Sequence, residues 1–325
     1  MRIKALLPIL ALGAASATAP ANPAQSAASA DGTAKGSRSL PVYEPVSGVS
    51  GNLNSIGSDT LNNLMTLWAE GFQAIYPNVK IQIEGKGSST APPALIEGTA
   101  QIGPMSRRMK GSELDAFEEE FGYKPTAVST AIDALAVFAN LDNPLDNITL
   151  REIEPVISST PRRGGTPIRT WGALDVEGPL ADRNISLYGR NSASGTYGFF
   201  KKVALSGGDF SAEVKEQPGS SSVVQGVGSN VSGIGYSGIG YKTSGVKALD
   251  INGVSPTAEN SITGDYPLAR PLLVYINKDP RKPLDKLTYE FLRFALSRQG
   301  QAIVEKDGYF PLPAPVAKRI LDSLR

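Results

Sequence analysis

The sequence predicts an α/β protein with two domains, and two observations carry that prediction. A strand-like apolar run, a turn of Gly and small hydroxyl residues, and a helix-like segment follow one another three times, with turns at residues 57–60, 87–90 and 192–196. Two long apolar runs, at residues 126–140 and 267–276, are long enough to leave one domain and enter another. Ligands of open α/β sheets bind beyond the carboxyl ends of strands, so the three turns are candidates for one binding site.

The composition limits the chemistry that the chain can perform. Its 325 residues include 32 basic and 31 acidic side chains, a net charge of +1, which gives no long-range field to hold a nucleic acid or an anionic membrane. The chain has no His and no Cys. This removes the usual ligands of zinc, copper and haem, the usual general base and thiol nucleophiles. We therefore expect no cofactor, no metal, no disulfide and no lipid-modified Cys.

The N-terminal residues have the pattern of an export signal. Basic residues precede an apolar run, rich in Ala and Leu, that is too short to span a bilayer. Cleavage could follow Ala19 or Ala30, and we assign residues 1–30 to a signal peptide. Residues 31–48 are rich in Gly, Ser and Pro, which predicts a flexible segment. The mature protein is expected in the periplasm without a lipid anchor.

The first two turns follow strands near the start of the core. Residues 49–56 and 79–83 each read as a strand that leads into a helix. The first turn contains Ser58, Asp59 and Thr60, which are all common N-cap residues. It is therefore either a simple helix cap or a set of polar donors beside a helix N-terminus. The sequence alone leaves both interpretations open.

The third turn has the pattern best suited to an anion. Arg190 ends an apolar run, and Ser194, Gly195 and Thr196 come just before a helix-like aromatic pair. Such a turn presents unpaired backbone N–H groups, hydroxyl donors and one guanidinium to a single point, and this combination binds a tetrahedral oxyanion. The alternative is an ordinary Ser/Gly loop that caps a helix. We favour the anion site because similar turns occur twice more.

The two long apolar runs define the domain organisation. We interpret them as crossing strands between which the second domain is inserted. This places domain I at residues 49–130 and 270–325, and domain II at residues 131–269. The Gly-rich segments of the insert do not match a phosphate loop, because no Gly-Lys-Ser/Thr follows them.

These pieces, in this order, resemble the phosphate-binding proteins of bacterial phosphate ABC transporters, in the type II periplasmic binding-protein superfamily. The similarity covers about residues 49–321 and rests on segments 57–61, 87–89 with 102–107, 190–196 and 300–312. The resemblance implies two α/β domains joined by two crossing strands. It also implies that the ligand cleft lies between these domains and closes on one dehydrated phosphate.

The resemblance also implies phosphate ligands from both domains. Arg190 gives a charge-assisted pair, while Ser194, Gly195 and Thr196 donate hydroxyl and backbone hydrogen bonds. Domain I contributes donors from Ser88 and from the first turn. Neutral donors with one fork-shaped cation can replace water around an anion and hold it in place. The full expected set is Ser58, Asp59, Thr60, Leu61, Ser88, Ser106, Arg107, Arg190, Ser194, Gly195 and Thr196.

One position departs from the family pattern. Many members carry an Asp after the Gly-x-Ser run, where this chain has Ser106 followed by Arg107. A carboxylate accepts the proton of hydrogen phosphate and repels fully deprotonated oxyanions, whereas a Ser hydroxyl can accept or donate. Asp59 is a second candidate for the missing acceptor. We expect it to cap its own helix instead, and Arg107 to favour the more charged form of phosphate.

The leading hypothesis is a substrate-binding subunit that captures inorganic phosphate in the periplasm and delivers it to an inner-membrane ABC permease, as a non-enzymatic monomer. One alternative changes the ligand to sulfate, molybdate or a phosphonate. A second is an exported Ser hydrolase, which the absence of His, of a Gly-x-Ser-x-Gly elbow and of an ordered Ser-x-x-Lys set disfavours. A third is a surface protein that senses phosphate or binds a partner on the same scaffold.

Overall fold

The computed structural model describes residues 39–324, which form an α/β structure, as the sequence predicts. Its strands are β1 (Gly51–Ile56), β2 (Val79–Glu84), β3 (Gly103–Met105), β4 (Thr126–Asn140), β5 (Asn147–Ile148), β6 (Ser186–Arg190), β7 (Lys215–Gln217), β8 (Gly233–Gly238), β9 (Val246–Ala248), β10 (Asp250–Ile251) and β11 (Ala269–Ile276). Its helices are α1 (Asn62–Ile75), α2 (Ala91–Ile96), α3 (Gly111–Phe121), α4 (Leu150–Ile157), α5 (Gly195–Val203), α6 (Ser220–Gly228), α7 (Ala258–Thr263), α8 (Lys286–Ala295), α9 (Arg298–Lys306) and α10 (Ala314–Ser323). Within residues 39–324, no helix is both long and apolar enough to cross a lipid bilayer.

The three strand–turn–helix units of the sequence are β1–α1, β2–α2 and β6–α5. Short 3₁₀ turns, Asp59–Leu61 and Ser88–Thr90, connect the first two pairs. β1 and β2 are parallel, and a bridge between Ser55 and Ile102 brings β1 beside the start of β3. β6 is parallel to both β7 and β8. The turns therefore follow the carboxyl ends of strands that belong to parallel pairs, as expected.

One seven-stranded sheet runs through the molecule in the order β3-β11-β4-β8-β6-β7, with β9 also paired to β4. β4 and β11 lie side by side and antiparallel at its centre. Their register shifts between Leu272 and Leu273, and such an irregularity bends a strand and increases its local twist.

The structure contains two main hydrophobic cores. The first contains the buried side chains of Trp68 and Phe291, and the second contains those of Trp171 and Phe200. We call the elements around the first core lobe I (β1–β3, α1–α3 and α8–α10) and those around the second lobe II (β5–β10 and α4–α7). Burying each large apolar side chain stabilises its lobe by about 1.5–3 kcal/mol.

The strands predicted to cross between the domains do pass between the two cores. β4 contributes Val128 and Ala131 to the first core and Ala134 and Leu135 to the second, while β11 places Leu272 in the first core and Ala269 against the second. A single unbroken strand therefore connects the lobes in each direction. The domain limits expected near residues 130 and 270 stay a prediction.

Residues 39–48 pack against lobe I, which corrects the expectation of a flexible segment for this stretch. Leu40 and Tyr43 are buried in the first core, and Tyr43 Oη donates a hydrogen bond of 2.8 Å to Glu290. Burial of these two side chains stabilises the segment, although half of its residues are Gly, Ser or Pro. The signal peptide expected at residues 1–30, and residues 31–38 of the expected flexible segment, lie outside the described part of the chain.

Candidate functional site

The three predicted turns meet between the lobes. Ser58 Oγ donates a 3.0 Å hydrogen bond to Ser106 Oγ, which also lies 3.3 Å from Ser88 Oγ. These three hydroxyls belong to lobe I and are buried. Gly195 of lobe II lies against them, because a Cβ built at that residue would be 2.2 Å from Ser88 Oγ. Four of the expected site residues, from separate segments, are therefore direct neighbours.

A second contact between the lobes joins two threonines. Thr60 Oγ1 of lobe I lies 2.9 Å from Thr196 Oγ1 of lobe II, and both residues are buried. The neighbouring Leu61 is also buried, but its backbone N–H already donates to Ser58 O at 3.2 Å. Thr196 directly follows Gly195, so the two threonines lie next to the three serines, while the Leu61 amide closes the first turn. We call the side chains of Ser58, Thr60, Ser88, Ser106 and Thr196 the hydroxyl cluster.

Ser194 is the N-cap of α5. Its hydroxyl accepts hydrogen bonds from the backbone N–H groups of Thr196 and Tyr197 at 3.1 and 3.4 Å. A hydroxyl that accepts these bonds still has its own proton to donate. The capping interpretation of this turn and the anion-site interpretation are therefore compatible in the same residue.

Arg190 lies at the end of β6 with 1% of its surface exposed. Its Nη1 is 2.9 Å from Asp59 Oδ2 and donates to Ser220 Oγ at 2.6 Å, and its Nη2 donates to Pro218 O at 2.9 Å. Its Nε is buried and has no hydrogen-bond partner among the described residues. Burial lowers the pKa of Arg190 from its usual value, and the Asp59 carboxylate opposes that shift. The guanidinium remains a cation with one edge unoccupied.

Asp59 does not cap its own helix, which corrects that expectation. Its Oδ2 accepts hydrogen bonds of 2.8 Å from both the backbone N–H and the hydroxyl of Ser220, in addition to the ion pair with Arg190. The residue at the N-cap position of the 3₁₀ turn is Ser58, and its side chain makes no capping bond. The Asp59 carboxylate binds the Arg190 guanidinium and the Ser220 backbone N–H at the start of α6 more strongly than it would bind the backbone N–H groups of its own turn.

Arg107 lies apart from the hydroxyl cluster. Its two terminal nitrogens each donate a 2.7 Å hydrogen bond to the Glu113 carboxylate. Although burial opposes the shift, this contact holds the pKa of Glu113 below its usual value. Glu113 also accepts from Lys110 N at the start of α3. The structure therefore gives Arg107 a role at the start of α3, and no described contact joins its side chain to the other expected ligands.

Arg270 and Asp133, which were not among the site residues predicted from the sequence, form a buried pair that supports the site. Arg270 Nε and Nη2 donate to Asp133 Oδ2 at 2.9 and 2.8 Å, and both side chains are at most 2% exposed. Arg270 also donates to Ser106 O and Thr196 Oγ1, each at 2.9 Å. The two residues face each other in the β4–β11 register. Each interrupts a long apolar run, and that signal was available in the sequence.

Ser220 is another residue beside the site that was not predicted from the sequence. It begins α6 and contacts both Asp59 and Arg190. Its segment has no apolar strand immediately before it and none of the motifs that marked the three turns. No local pattern therefore distinguished this serine from the two that follow it.

Comparison with known proteins gives a consistent result. A model of the PBP superfamily domain matches residues 26–299. The phosphate-binding protein PstS of Pseudomonas aeruginosa is 51% identical over 336 aligned residues, covering 100% of this chain and 99% of that protein. The phosphate-binding protein PstS of Staphylococcus epidermidis is 28% identical over 284 residues, covering 85% and 83% of the two chains. A Clostridium perfringens structure with bound phosphate, described as a phosphate ABC transporter substrate-binding protein, superposes with a TM-score of 0.70 and 28% identity, covering 81% of this chain and 100% of that chain.

The two lobes, the paired crossing strands and the donors between the lobes define a two-domain binding protein with the type II periplasmic binding-protein fold. The chain belongs to the PBP superfamily and, within it, to the family of phosphate-binding proteins PstS. It is a binding protein and not an enzyme. The family and the fold expected from the sequence are therefore confirmed.

Proposed function

We propose that the chain captures inorganic phosphate between its lobes in the periplasm and delivers it to an ABC permease of the inner membrane. It is the phosphate-binding component of a phosphate ABC transporter, and it works as a monomer without a cofactor or nucleic acid. Membership of the PstS family supports this function. The chemistry of the buried cluster between the lobes supports it independently.

The observation that carries the proposal is the unoccupied Nε–H of Arg190. An unpaired donor inside a protein costs about 1–3 kcal/mol, and more when the group is charged. Arg190 Nε has no partner in the described chain, yet the guanidinium is buried beside Asp59, which lies between Ser58 and Thr60 in the first turn, and beside Ser220 at the N-terminus of α6. An anion that accepts from Nε removes this cost. It also gains a charge-assisted hydrogen bond in a site without bulk water.

The proposed ligands surround one tetrahedral anion from both lobes. Lobe I supplies the hydroxyls of Ser88 and Ser106, and lobe II supplies Arg190, the Gly195 backbone and the Thr196 hydroxyl. α5 begins at Gly195 and is nine residues long, so its unpaired N–H groups and its dipole favour negative charge at that end. Ser58, Thr60, Leu61 and Ser194 complete the wall of the site.

Two residues of the expected set take other roles in this proposal. Arg107 holds Glu113, so it supplies no direct ligand. Asp59 holds Arg190 and Ser220, so it supports the cation and does not contact the anion. The negative charge of the anion is consequently stabilised by Arg190, by hydroxyls and by backbone N–H groups.

The same geometry favours one second candidate function, the binding of another tetrahedral oxyanion such as sulfate. Both carboxylates beside the cluster are engaged, Asp59 with Arg190 and Asp133 with Arg270. Because neither carboxylate is free, the proton of hydrogen phosphate must be accepted by a hydroxyl, such as that of Ser106, among the described residues. A hydroxyl can instead donate to a fully deprotonated oxyanion, so the penalty against sulfate is weaker than a carboxylate would impose.

Titration calorimetry on refolded, ligand-stripped protein tests the proposed function. We expect one phosphate to bind per chain, arsenate to bind in the same way, and sulfate to bind more weakly. Strong sulfate binding without phosphate binding would favour the second candidate. Absence of heat with all three anions would contradict an oxyanion site between the lobes.

A further inference from the structure

We propose that Asp59 is a positioning residue that clasps the two lobes through Arg190 and Ser220 and thereby sets how long the anion stays bound. The proposal rests on the proposed function, since it concerns retention of the same ligand. It assigns Asp59 a role distinct from that of a ligand for phosphate, a proton acceptor or a helix cap.

The contacts of Asp59 run across the cleft. Asp59 belongs to the turn after β1 in lobe I, whereas Arg190 and Ser220 end β6 and begin α6 in lobe II. One oxygen, Oδ2, takes all three cross-lobe contacts, at 2.9, 2.8 and 2.8 Å. In addition, Tyr241, which lies between β8 and β9 of lobe II and also packs against the first core, donates a 2.8 Å hydrogen bond from its Oη to the backbone carbonyl of Asp59. Both the side chain and the backbone of this residue therefore join the lobes.

The free face of the carboxylate lies away from the hydroxyl cluster. The Asp59 side chain is 22% exposed, and it lines a polar cavity of about 800 Å³ together with Asn62, Gln225 and Tyr241. None of the residues Ser88, Ser106 and Thr196 lines this cavity. Oδ2 is engaged by three donors, and the cavity that the rest of the side chain lines contains none of these three hydroxyl residues. The geometry therefore places the Asp59 carboxylate apart from an anion held by Ser88, Ser106 and Thr196.

We call the contacts of Asp59 with Arg190 and Ser220 the clasp. These contacts link the approach of the two lobes to the position of the Arg190 guanidinium. Arg190 presents Nη1 to Asp59 and leaves Nε for the anion, so the two negative groups use different edges of one guanidinium. Separating the lobes removes Asp59 from Arg190 and Ser220 together. Arg190 keeps its partners Ser220 and Pro218 within lobe II when the lobes separate. The state with the lobes in contact is therefore the state in which Asp59 also holds the guanidinium, and a ligand that binds this state preferentially shifts the population toward it.

Asp59→Asn separates this role from the alternatives, because Asn keeps an acceptor for Ser220 but loses the charge paired with Arg190. We expect phosphate to bind about ten- to a hundredfold more weakly, with a matching increase in its dissociation rate. This loss is smaller than for truncation of a direct ligand, because Asp59 does not contact the anion and Asn keeps the shape of the side chain. Sulfate binding should weaken in step with phosphate, so sulfate gains nothing. Small-angle scattering at saturating phosphate should show a less compact particle than the wild type. Asp209→Asn, which breaks the exposed ion pair with Lys201, is the matched control and should change none of these quantities.

Three other outcomes would contradict the proposed role of Asp59. Unchanged phosphate affinity and dissociation would show that the cross-lobe contacts contribute nothing to retention. Weaker phosphate binding with a gain of sulfate binding would identify Asp59 as a proton acceptor. If the wild type bound no phosphate, the proposed function would fail. The clasp would then be judged from the ligand-free proteins, where equal compactness of wild type and Asp59→Asn would reject it.

Discussion

Gly195 approaches Ser88 so closely that a Cβ at residue 195 would lie 2.2 Å from Ser88 Oγ and 2.6 Å from Ser106 Oγ. Gly195 belongs to lobe II and the two serines belong to lobe I, and the contact exists because Gly195 has no side chain. The fit between the lobes at the hydroxyl cluster therefore depends on a single missing methyl group.

Gly195→Ala should abolish tight phosphate binding without unfolding the protein. Ala is tolerated at the start of a helix, but its methyl group would hold the lobes apart at the hydroxyls, so we expect at least a hundredfold loss of affinity by calorimetry. Gly111→Ala is the matched control, because Gly111 also begins a helix and has open space around it. Equal affinity of the two variants would contradict the close approach.

Arg190→Ala should remove the main cation of the site. We expect a folded protein that loses about 2–5 kcal/mol of phosphate binding, the range for truncating one partner of a buried charge pair. Arg281→Ala, at an exposed position far along the chain, should bind as the wild type does. Retention of full phosphate affinity by Arg190→Ala would remove the central argument of the proposed function.

Asp133→Ala should destabilise the protein, because it leaves the Arg270 guanidinium buried without its counter-charge. Breaking a buried ion pair in this way costs about 3–5 kcal/mol, which urea unfolding would register as a lower midpoint. Asp146→Ala breaks the exposed pair with Lys247 and should cost at most about 1 kcal/mol. Similar losses for the two variants would show that the Asp133–Arg270 pair is not a buried structural contact.

The Asp307 carboxyl makes stability depend on pH. Burial raises the pKa of Asp307 to about 6, while a hydrogen bond from Asn63 opposes the shift. The folded state then binds more protons than the unfolded state between about pH 4 and pH 6, so stability contributed by this group falls as pH rises through that window.

Asp307→Asn should remove that pH dependence and stabilise the protein at pH 7. After allowance for solvent screening of this partly exposed group, we expect a gain of about 1–2 kcal/mol. Urea unfolding at pH 4, 5, 6 and 7 would measure it. Parallel stability profiles of wild type and variant would contradict the raised pKa.

Local patterns in the sequence were sufficient to predict the strands and turns that build the site. The apolar run before Arg190 and the hydroxyl residues after it are contiguous, so β6, its turn and α5 could be read directly. The partners of charged side chains could not, because they depend on how distant segments pack. Asp59 was expected to act on its own helix, yet its partners Arg190 and Ser220 lie more than a hundred residues away in the chain.

Arg107 was predicted as a ligand because it is adjacent in the sequence to Ser106, yet its side chain lies elsewhere. The sequence placed it next to Ser106, and adjacency along the chain suggested a shared role. Successive residues beyond a strand point in different directions, so Ser106 lies in the cluster while Arg107 reaches Glu113. Arg270 and Asp133 could have been noticed as charges within apolar runs, but their contact with Thr196 requires the register of β4 and β11.

Each of the two guanidiniums beside the hydroxyl cluster is accompanied by its own carboxylate, Arg190 by Asp59 and Arg270 by Asp133. These four side chains sum to zero formal charge, and the whole chain is close to neutral. Attraction of the ligand therefore depends on short-range hydrogen bonds inside a dry site, which dissolved ions screen far less than they screen charges in water. Phosphate affinity should consequently change little between dilute and concentrated salt, a useful property for a protein proposed to work outside the cytoplasm, where the ionic strength follows the surroundings of the cell.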